Sequence, residues 1–482
     1  MKILIFLLFL LTILVNNTSF GQIDSAGTDS PIILDAMRKA PYMIYNGNNT
    51  EMQLLWQLTL TDTCTLDWGT DTLYGLGNIE TVEYGSSHQH TYTIPNLIPG
   101  VKYYYKVAVD GEVYTGSFRS APATNETNIK FMVYGDTRSN PGIHDQVAAT
   151  MLNTFNHDEN FQSIVLSVGD LVSSGNNESS WDSEFFDPSY ANIKTLLASA
   201  PYQVAIGNHE GTGQLFVKYF PYPFVAGRYW SFDYGPAHFV IVDQYTSYSP
   251  GSAQLTWIEN DLASTTKPWK FIYLHEPGWS AGGGHSNNTN VQNRIQPLCE
   301  QYGVCIVFAG HNHYYARAVV NGIQHVTTGG GGAPLHTPDP SYPNVVATAK
   351  ANHFCNVEIN GGTLHFTAIK SDSTILDEFT INVTDIETSS TPVLLDEYVL
   401  NPAYPNPFNP STTIEFAIPN TEFVTLKIYD SLGEEVATLV SDKLPAGKHK
   451  YIWNAAGLGS DVYFYKLKAG KFVQTRKLIL MK

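Results

Sequence analysis

Cysteine is scarce in this chain: Cys64, Cys299, Cys305 and Cys355 are the four in 482 residues, and no CxxC pair occurs. That argues against a disulfide framework and leaves buried thiols with at most one bridge. Basic residues are also in the minority, with 27 Lys and Arg against 44 Asp and Glu and a formal charge of -17. An acidic surface repels long polyanions, so no nucleic acid is expected as the principal partner. Beyond the N-terminal segment no stretch reaches ~18 uninterrupted apolar residues, and no integral membrane segment is expected once that segment is cleaved.

What is present is ordinary for a folded protein, with 43% hydrophobic and 15% charged residues. The length suggests roughly two to four domains. The opening MKILIFLLFLLTILVNNTSFGQ has one lysine, an apolar run from Ile3 to Val15, and the small residues Ser19 and Gly21 before a cleavage point. It reads as a secretory signal over residues 1–21.

From about residue 30 to 122, short alternating runs (MQLLWQLTL, CTLDWGT, HTYTIPNL, YYYKVAV, VYTGSFRS) separated by Gly, Asn and Asp predict a small antiparallel β-sandwich. Within it, NLIPGVKYYYKV resembles the tyrosine corner of fibronectin type III domains. From about 128 to 385 the pattern becomes an α/β sandwich with helices flanking two β-sheets. FMVY, IVLSV, PYQVAI, HFVIV, KFIYL and VCIVF read as strands buried on both faces, and Val147, Met151 and Phe155 in HDQVAATMLNTF fall at helical spacing. Residues 386–400, with a Ser and Thr cluster before a proline, read as a linker. Residues 401–482 return to β patterning and predict a third domain, a C-terminal β-sandwich. Its segments YPNPFNPSTTI, IYDSLGEEVATLV and DVYFYKLKAGKF resemble the type A sorting domain of type IX secretion substrates. That resemblance implies the type IX machinery as a partner, and a secreted or cell-surface location reached through the periplasm of a Gram-negative, Bacteroidetes-like bacterium.

The chemistry gathers after the buried strands. GDTR carries Asp136, GDLVS carries Asp170, GNHE carries Asn208 and His209, LHEPG carries His275, and GHNHYYAR carries His311 and His313. The carboxyl ends of strands in an α/β sheet form one functional edge, so these side chains are expected to converge. Carboxylate, amide and imidazole donors together suit two divalent or trivalent ions such as Fe, Zn or Mn. Such a pair can clamp both oxygens of a phosphoryl displacement, with a bridging hydroxide as nucleophile. Taken singly each motif is weak, and it is their joint order that points to a metal site. The run Gly329 to Gly332 is not followed by GK and Ser or Thr, so it is not a phosphate-binding loop; it is expected to let backbone pass close to the site.

The order GD, GD, GNHE, xxxH, GHxH resembles the calcineurin-like metallophosphoesterases, and the purple acid phosphatases among them, over about residues 31–385. The resemblance implies that Asp170 bridges the two ions, that Asp136 and His313 hold the first, and that Asn208, His275 and His311 hold the second. It implies that His209 contacts substrate and helps protonate the leaving oxygen, a task open to an imidazole near neutrality. His285, in a Gly-rich segment, matches a similar outer position, and a plain surface-loop histidine is the alternative.

Two departures stand out. Purple acid phosphatases have tyrosine three residues after the bridging aspartate, where this chain has Ser173, so the tyrosinate ligand to ferric iron and its colour should be missing. Other phosphoesterases have histidine two residues after the first aspartate, where this chain has Arg138. Guanidinium has no lone pair to offer a metal, but its planar fork suits phosphate. His144, eight residues after Asp136, is therefore a candidate to complete the first shell or touch substrate, with a helix-start residue as the alternative. The resulting expectation is an exported hydrolase of phosphoric esters, monoesters favoured over diesters. The alternative is a catalytically silent exported binding or adhesion protein on the same fold.

Overall fold

In this computed structural model the described residues are 36–383, except 61 and 86, and 398–481, except 404, 445 and 446. The signal segment and most of the 386–400 linker lie outside them. Among the described residues no helix is long and apolar enough to cross a membrane.

The N-terminal part contains seven strands: β1 (Met37–Ile44), β2 (Met52–Leu58), β3 (Cys64–Gly69), β4 (Gly77–Thr81), β5 (Gln89–Ile94), β6 (Lys102–Val109) and β7 (Glu112–Arg119). They form a three-stranded sheet ordered β1-β2-β5 and a four-stranded one ordered β4-β3-β6-β7, with every pairing antiparallel. The alternation in β6 buries Tyr103, Tyr105, Val107 and Val109 on one face, as a half-buried strand requires. The hydroxyl of Tyr103 accepts the Ile98 N–H at 2.8 Å, pinning the turn that enters β6.

Sequence patterning missed β1 and β4. In β1 the alternation is broken by Lys39, which is fully buried yet polar. Its ammonium hydrogen bonds to Gln57 Oε1 at 2.6 Å and pairs with Glu178 at 3.2 Å and with Asp182. Its charged partners come from the next part of the chain, and without them a buried lysine would not be tolerable there. β4 is short and half polar, GNIET, and carries almost no period-two signal.

The central part follows with β8 (Asn128–Tyr134), α1 (Pro141–His157), β9 (Ile164–Ser167), β10 (Tyr202–Val204), β11 (Trp230–Tyr234), β12 (Ala237–Ile241), β13 (Trp269–Tyr273), β14 (Ile306–Ala309), β15 (Tyr315–Val320), β16 (Ile323–Thr328), β17 (Val345–Ala349), β18 (His353–Asn360), β19 (Thr363–Lys370) and β20 (Ile375–Asn382). One sheet has the order β10-β9-β8-β18-β19-β20, the other β11-β12-β13-β14-β16-β15-β17. β8, β9 and β10 run parallel, as do β12, β13, β14 and β16.

The sheets pack face to face through aromatic side chains. Phe131 lies 5.3 Å edge-on from both Phe239 and Phe271. Each such side chain contributes about 1.5–3 kcal/mol by leaving water. Outside the second sheet, the helices Ala253–Ser264 and Gln296–Tyr302 cover Val240, Ile272 and Val307 with Ile258, Leu262 and Leu298. Outside the first, α1 turns Val147, Met151 and Phe155 inward at the spacing read from the sequence.

Seven more strands complete the chain: β21 (Val399–Leu400), β22 (Ser411–Ile418), β23 (Glu422–Tyr429), β24 (Glu435–Leu444), β25 (Gly447–Asn454), β26 (Val462–Ala469) and β27 (Phe472–Ile479). They form sheets ordered β21-β22-β25 and β24-β23-β26-β27 around a core drawn from residues 400–480 alone. All four cysteines are buried free thiols, so the one bridge that the sequence left open is not made.

Candidate functional site

Five parallel strands end at one edge. Asp136 follows β8, Asp170 follows β9, Asn208 and His209 follow β10, His275 follows β13, and His311 and His313 follow β14. Three of these residues turn sharply out of their strands: Asp136, Asp170 and His311 have φ of 55°, 56° and 66°. Left-handed backbone at a non-glycine residue costs about 1 kcal/mol or more, and it persists where the surroundings over-determine it. Here it swings each side chain toward the gap between the sheets.

The side chains do converge. Ligand atoms of the buried Asp136, Asp170 and His275 all lie within 4.8 Å of one another. His275 Nε2 is 3.3 Å from Asp170 Oδ1, and His313 Nε2 is 3.5 Å from Asp136 Oδ1. Asn208 Oδ1 lies 3.1 Å from His275 Nε2 and 3.0 Å from His311 Nδ1. His209 Nε2 is 3.9 Å from Asp170 Oδ2, and its N–H donates to Asp170 Oδ1 at 2.9 Å.

Backbone carbonyls orient the imidazoles. Nδ1–H donates to a carbonyl in His275 (Val168, 2.8 Å), His313 (Pro334, 2.8 Å) and His209 (Ser173, 2.7 Å). A carbonyl can only accept, so Nδ1 carries the proton and Nε2 is the atom presented to the carboxylates. Small residues make the close packing feasible. At Gly329 a Cβ would sit 2.8 Å from Asp136 Oδ2, so the glycine run does pass backbone against the cluster.

Burial and mutual charge shift the groups of the cluster in opposite directions. Burial pushes the Asp136 carboxyl up to about 7, His275 opposing and Asp170 adding to the rise. For His275, burial favours the neutral ring, but the Asp170 and Asp136 carboxylates overcome it and raise the imidazole to about 10. Burial likewise works against the Asp170 carboxylate, yet His275 and His209 hold it below its ordinary range. His311 and His313 are lowered to about 3 and about 4, chiefly by burial, which keeps them neutral with a lone pair to donate. Two buried carboxylates, an amide oxygen and oriented imidazoles are the donor set that borderline divalent or trivalent ions take.

The remaining expectations divide. Arg138 reaches the cluster: Nε is 3.3 Å from Asp170 Oδ2 and Nη2 is 3.4 Å from His313 Nε2. His285 is exposed at the rim, its ring stacked on His311 with centroids 3.8 Å apart, and its N–H is held by Asn312 Oδ1. Ser173 does not face the carboxylates; its N–H and hydroxyl both donate to Glu184.

His144 is a correction. It does not begin the helix, which starts three residues earlier at Pro141, and it shares the inward face of Val147, Met151 and Phe155. Fully buried, it meets the Tyr134 hydroxyl with Nε2 at 2.8 Å and lies 5.9 Å from the Phe185 ring. Burial lowers it to about 3. The phase of the helix directs it to the core rather than to Asp136.

Three residues at the site escaped the sequence reading. Glu210 is fully buried and accepts N–H bonds from Gly207 (2.7 Å), Asp170 (3.0 Å) and Leu171 (2.7 Å), tying the β9 and β10 loops together. Burial and the charge of Asp170 push its carboxyl up to about 7. Gln244 Oε1 accepts the His275 N–H at 2.8 Å. His336 stacks on His313 with centroids 4.1 Å apart. Glu210 was visible as the last letter of GNHE; Gln244 and His336 carry no local signal.

Residues 129–315 match the calcineurin-like phosphoesterase family, and residues 402–481 match the secretion system C-terminal sorting domain. Among curated proteins the chain is 27% identical to purple acid phosphatase 21 of Arabidopsis thaliana over 276 residues, which cover 52% of this chain and 59% of that protein. It is 28% identical to purple acid phosphatase 22 of the same plant, covering 52% and 60%. The match thus spans about 60% of the length of these relatives. Among solved structures, purple acid phosphatase PPD1 from yellow lupin (Lupinus luteus) seeds superposes with a TM-score of 0.59 at 21% identity, covering 72% of this chain and 76% of that one. PhoD superposes with a TM-score of 0.55 at 14% identity, covering 72% and 90%. The chain therefore carries a calcineurin-like phosphoesterase domain similar to those of purple acid phosphatases, followed by a C-terminal secretion sorting domain.

Proposed function

We propose that this chain is an exported, metal-dependent hydrolase of phosphoric esters, acid-phosphatase-like, with monoesters favoured over diesters. The observation that carries the reading is the buried cluster of Asp136, Asp170 and His275, with Asn208, His311 and His313 on its edges. There Asp170 would serve both ions, Asp136 and His313 would hold the first, and Asn208, His275 and His311 would hold the second. Two ions held there would supply Lewis acidity and an activated water. Arg138 binds phosphoryl oxygens through its planar fork, a role its place beside Asp170 and His313 permits. His209, with Nδ1–H fixed on Ser173, directs Nε2 to the cluster; in the imidazolium form, with a second proton on Nε2, it would pass that proton to the leaving oxygen and return to the neutral Nδ1–H tautomer. His285 lines the rim.

Purified protein should contain two transition-metal ions per chain by elemental analysis and turn over an aryl phosphomonoester faster than an aryl phosphodiester. Absence of metal, or of turnover on both esters, would sink the reading.

The sorting domain indicates secretion or surface display in a Bacteroidetes-like bacterium. Because the C-terminal sheets have a core of their own, removing the chain from Asp396 onward should abolish delivery to the cell exterior while leaving turnover within about twofold. A stable truncated enzyme without activity would place the terminal domain in the site.

A further inference from the structure

After the glycine run, the chain doubles back along β14's loop. The Pro334 carbonyl accepts His313 Nδ1–H, and two residues later the His336 N–H donates to the His313 carbonyl at 3.0 Å. The bond is returned: the His313 N–H donates to His336 Nδ1 at 3.2 Å, and the two rings stack at an interplanar angle of 16°. A backbone N–H can only donate, so His336 Nδ1 is an acceptor and the neutral ring carries its proton on Nε2.

That Nε2–H has no protein partner among the described residues. The side chain is half-buried, and its ring lies 5.6 Å from the ring of His285. Arg138 reaches the same imidazole on which His336 stacks. A directed donor thus stands unused on the rim formed by Arg138 and His285, fixed by reciprocal bonds to His313.

We propose that His336 is a substrate-binding residue, its Nε2–H donating to a phosphoryl or ester oxygen of a phosphoester held against Arg138. The proposal rests on the phosphoester reading above. It gives the site a neutral donor beside the charged fork, which fixes orientation without adding charge.

The competing role is purely one of support, in which His336 does nothing but accept the His313 N–H. Two substitutions separate these. His336→Asn keeps an acceptor near Nδ1 and loses the Nε2 donor, whereas His336→Gln places an amide N–H near Nε2. Metal content by elemental analysis, inorganic phosphate affinity by calorimetry, and kcat and KM on an aryl phosphomonoester are measured for both variants and wild type.

The expected result is that His336→Asn keeps two metals but binds phosphate about tenfold more weakly, with KM raised by a similar factor and kcat changed less. His336→Gln should recover much of that affinity. Unchanged phosphate affinity in His336→Asn would overturn the proposal. Loss of metal in both variants would also overturn it, because His336 would then act only through His313. If wild type hydrolyses phosphoesters and His336→Asn is indifferent, this inference alone fails. A wild type without metal or turnover removes the phosphoester reading and this proposal with it.

Discussion

Asp170→Ala should lose both metal ions and at least about a thousandfold in kcat/KM on an aryl phosphate if, as proposed, Asp170 is the carboxylate that serves both ions. Asp170 receives bonds from His209 N–H and the Arg138 guanidinium and lies against His275, at the middle of the cluster. The fold should survive. With Asp170 gone, the buried Asp136 loses a like-charged neighbour that pushes its carboxyl up, which offsets part of the bonding lost. Asp170→Asn, nearly the same shape without the charge, guards against a packing artefact. Circular dichroism and elemental analysis of both variants decide the matter, and normal turnover with two metals bound would remove Asp170 from the site.

Glu210→Gln should lower both stability and metal affinity. The carboxylate accepts three backbone N–H groups in a place that water does not reach. An amide oxygen in the place of Oε2 still accepts Gly207 and Asp170, but its NH2 then faces the Leu171 N–H and leaves that one buried donor unpaired, at about 1–3 kcal/mol. A loss of about 1–2 kcal/mol in urea unfolding is expected, because removing the buried charge offsets part of the orphaned bond, with metal affinity falling about 10–100-fold as the common anchor of the Asp170 and Asn208 loops loosens. Unchanged unfolding and unchanged metal binding would show that the loops hold themselves.

These two residues differ in how far the sequence announced them. Asp170 stands in a GD after an apolar strand, and that placement alone suggested a role at the functional edge. Glu210 stands in GNHE, next to Asn208 and His209, yet its role is to bind backbone groups of a loop some forty residues earlier, and no pattern in its own neighbourhood records that. The same contrast separates β8 from β1. FMVY is apolar throughout and reads as a buried strand, whereas Lys39 makes β1 unreadable until Glu178 and Asp182 are seen beside it.

His144 and His336 show the limit most clearly. His144 was conspicuous by its distance from Asp136, but the helix begins at Pro141 and its 3.6-residue period turns that imidazole into the core. His336 was inconspicuous in a loop of Gly, Pro and Thr, and the path of that loop lays it on His313.

By itself the sequence determined the succession of buried strands, and with it the edge at which Asp136, Asp170, Asn208, His275, His311 and His313 collect, because strand runs and the residues just after them are local features that parallel pairing turns into one face. Only the tertiary structure decided which atoms those residues present: the left-handed turns at Asp136, Asp170 and His311, and the carbonyls of Val168 and Pro334 that leave Nε2 of His275 and His313 facing inward. Those depend on backbone groups brought from distant segments, which leave no trace in local spacing.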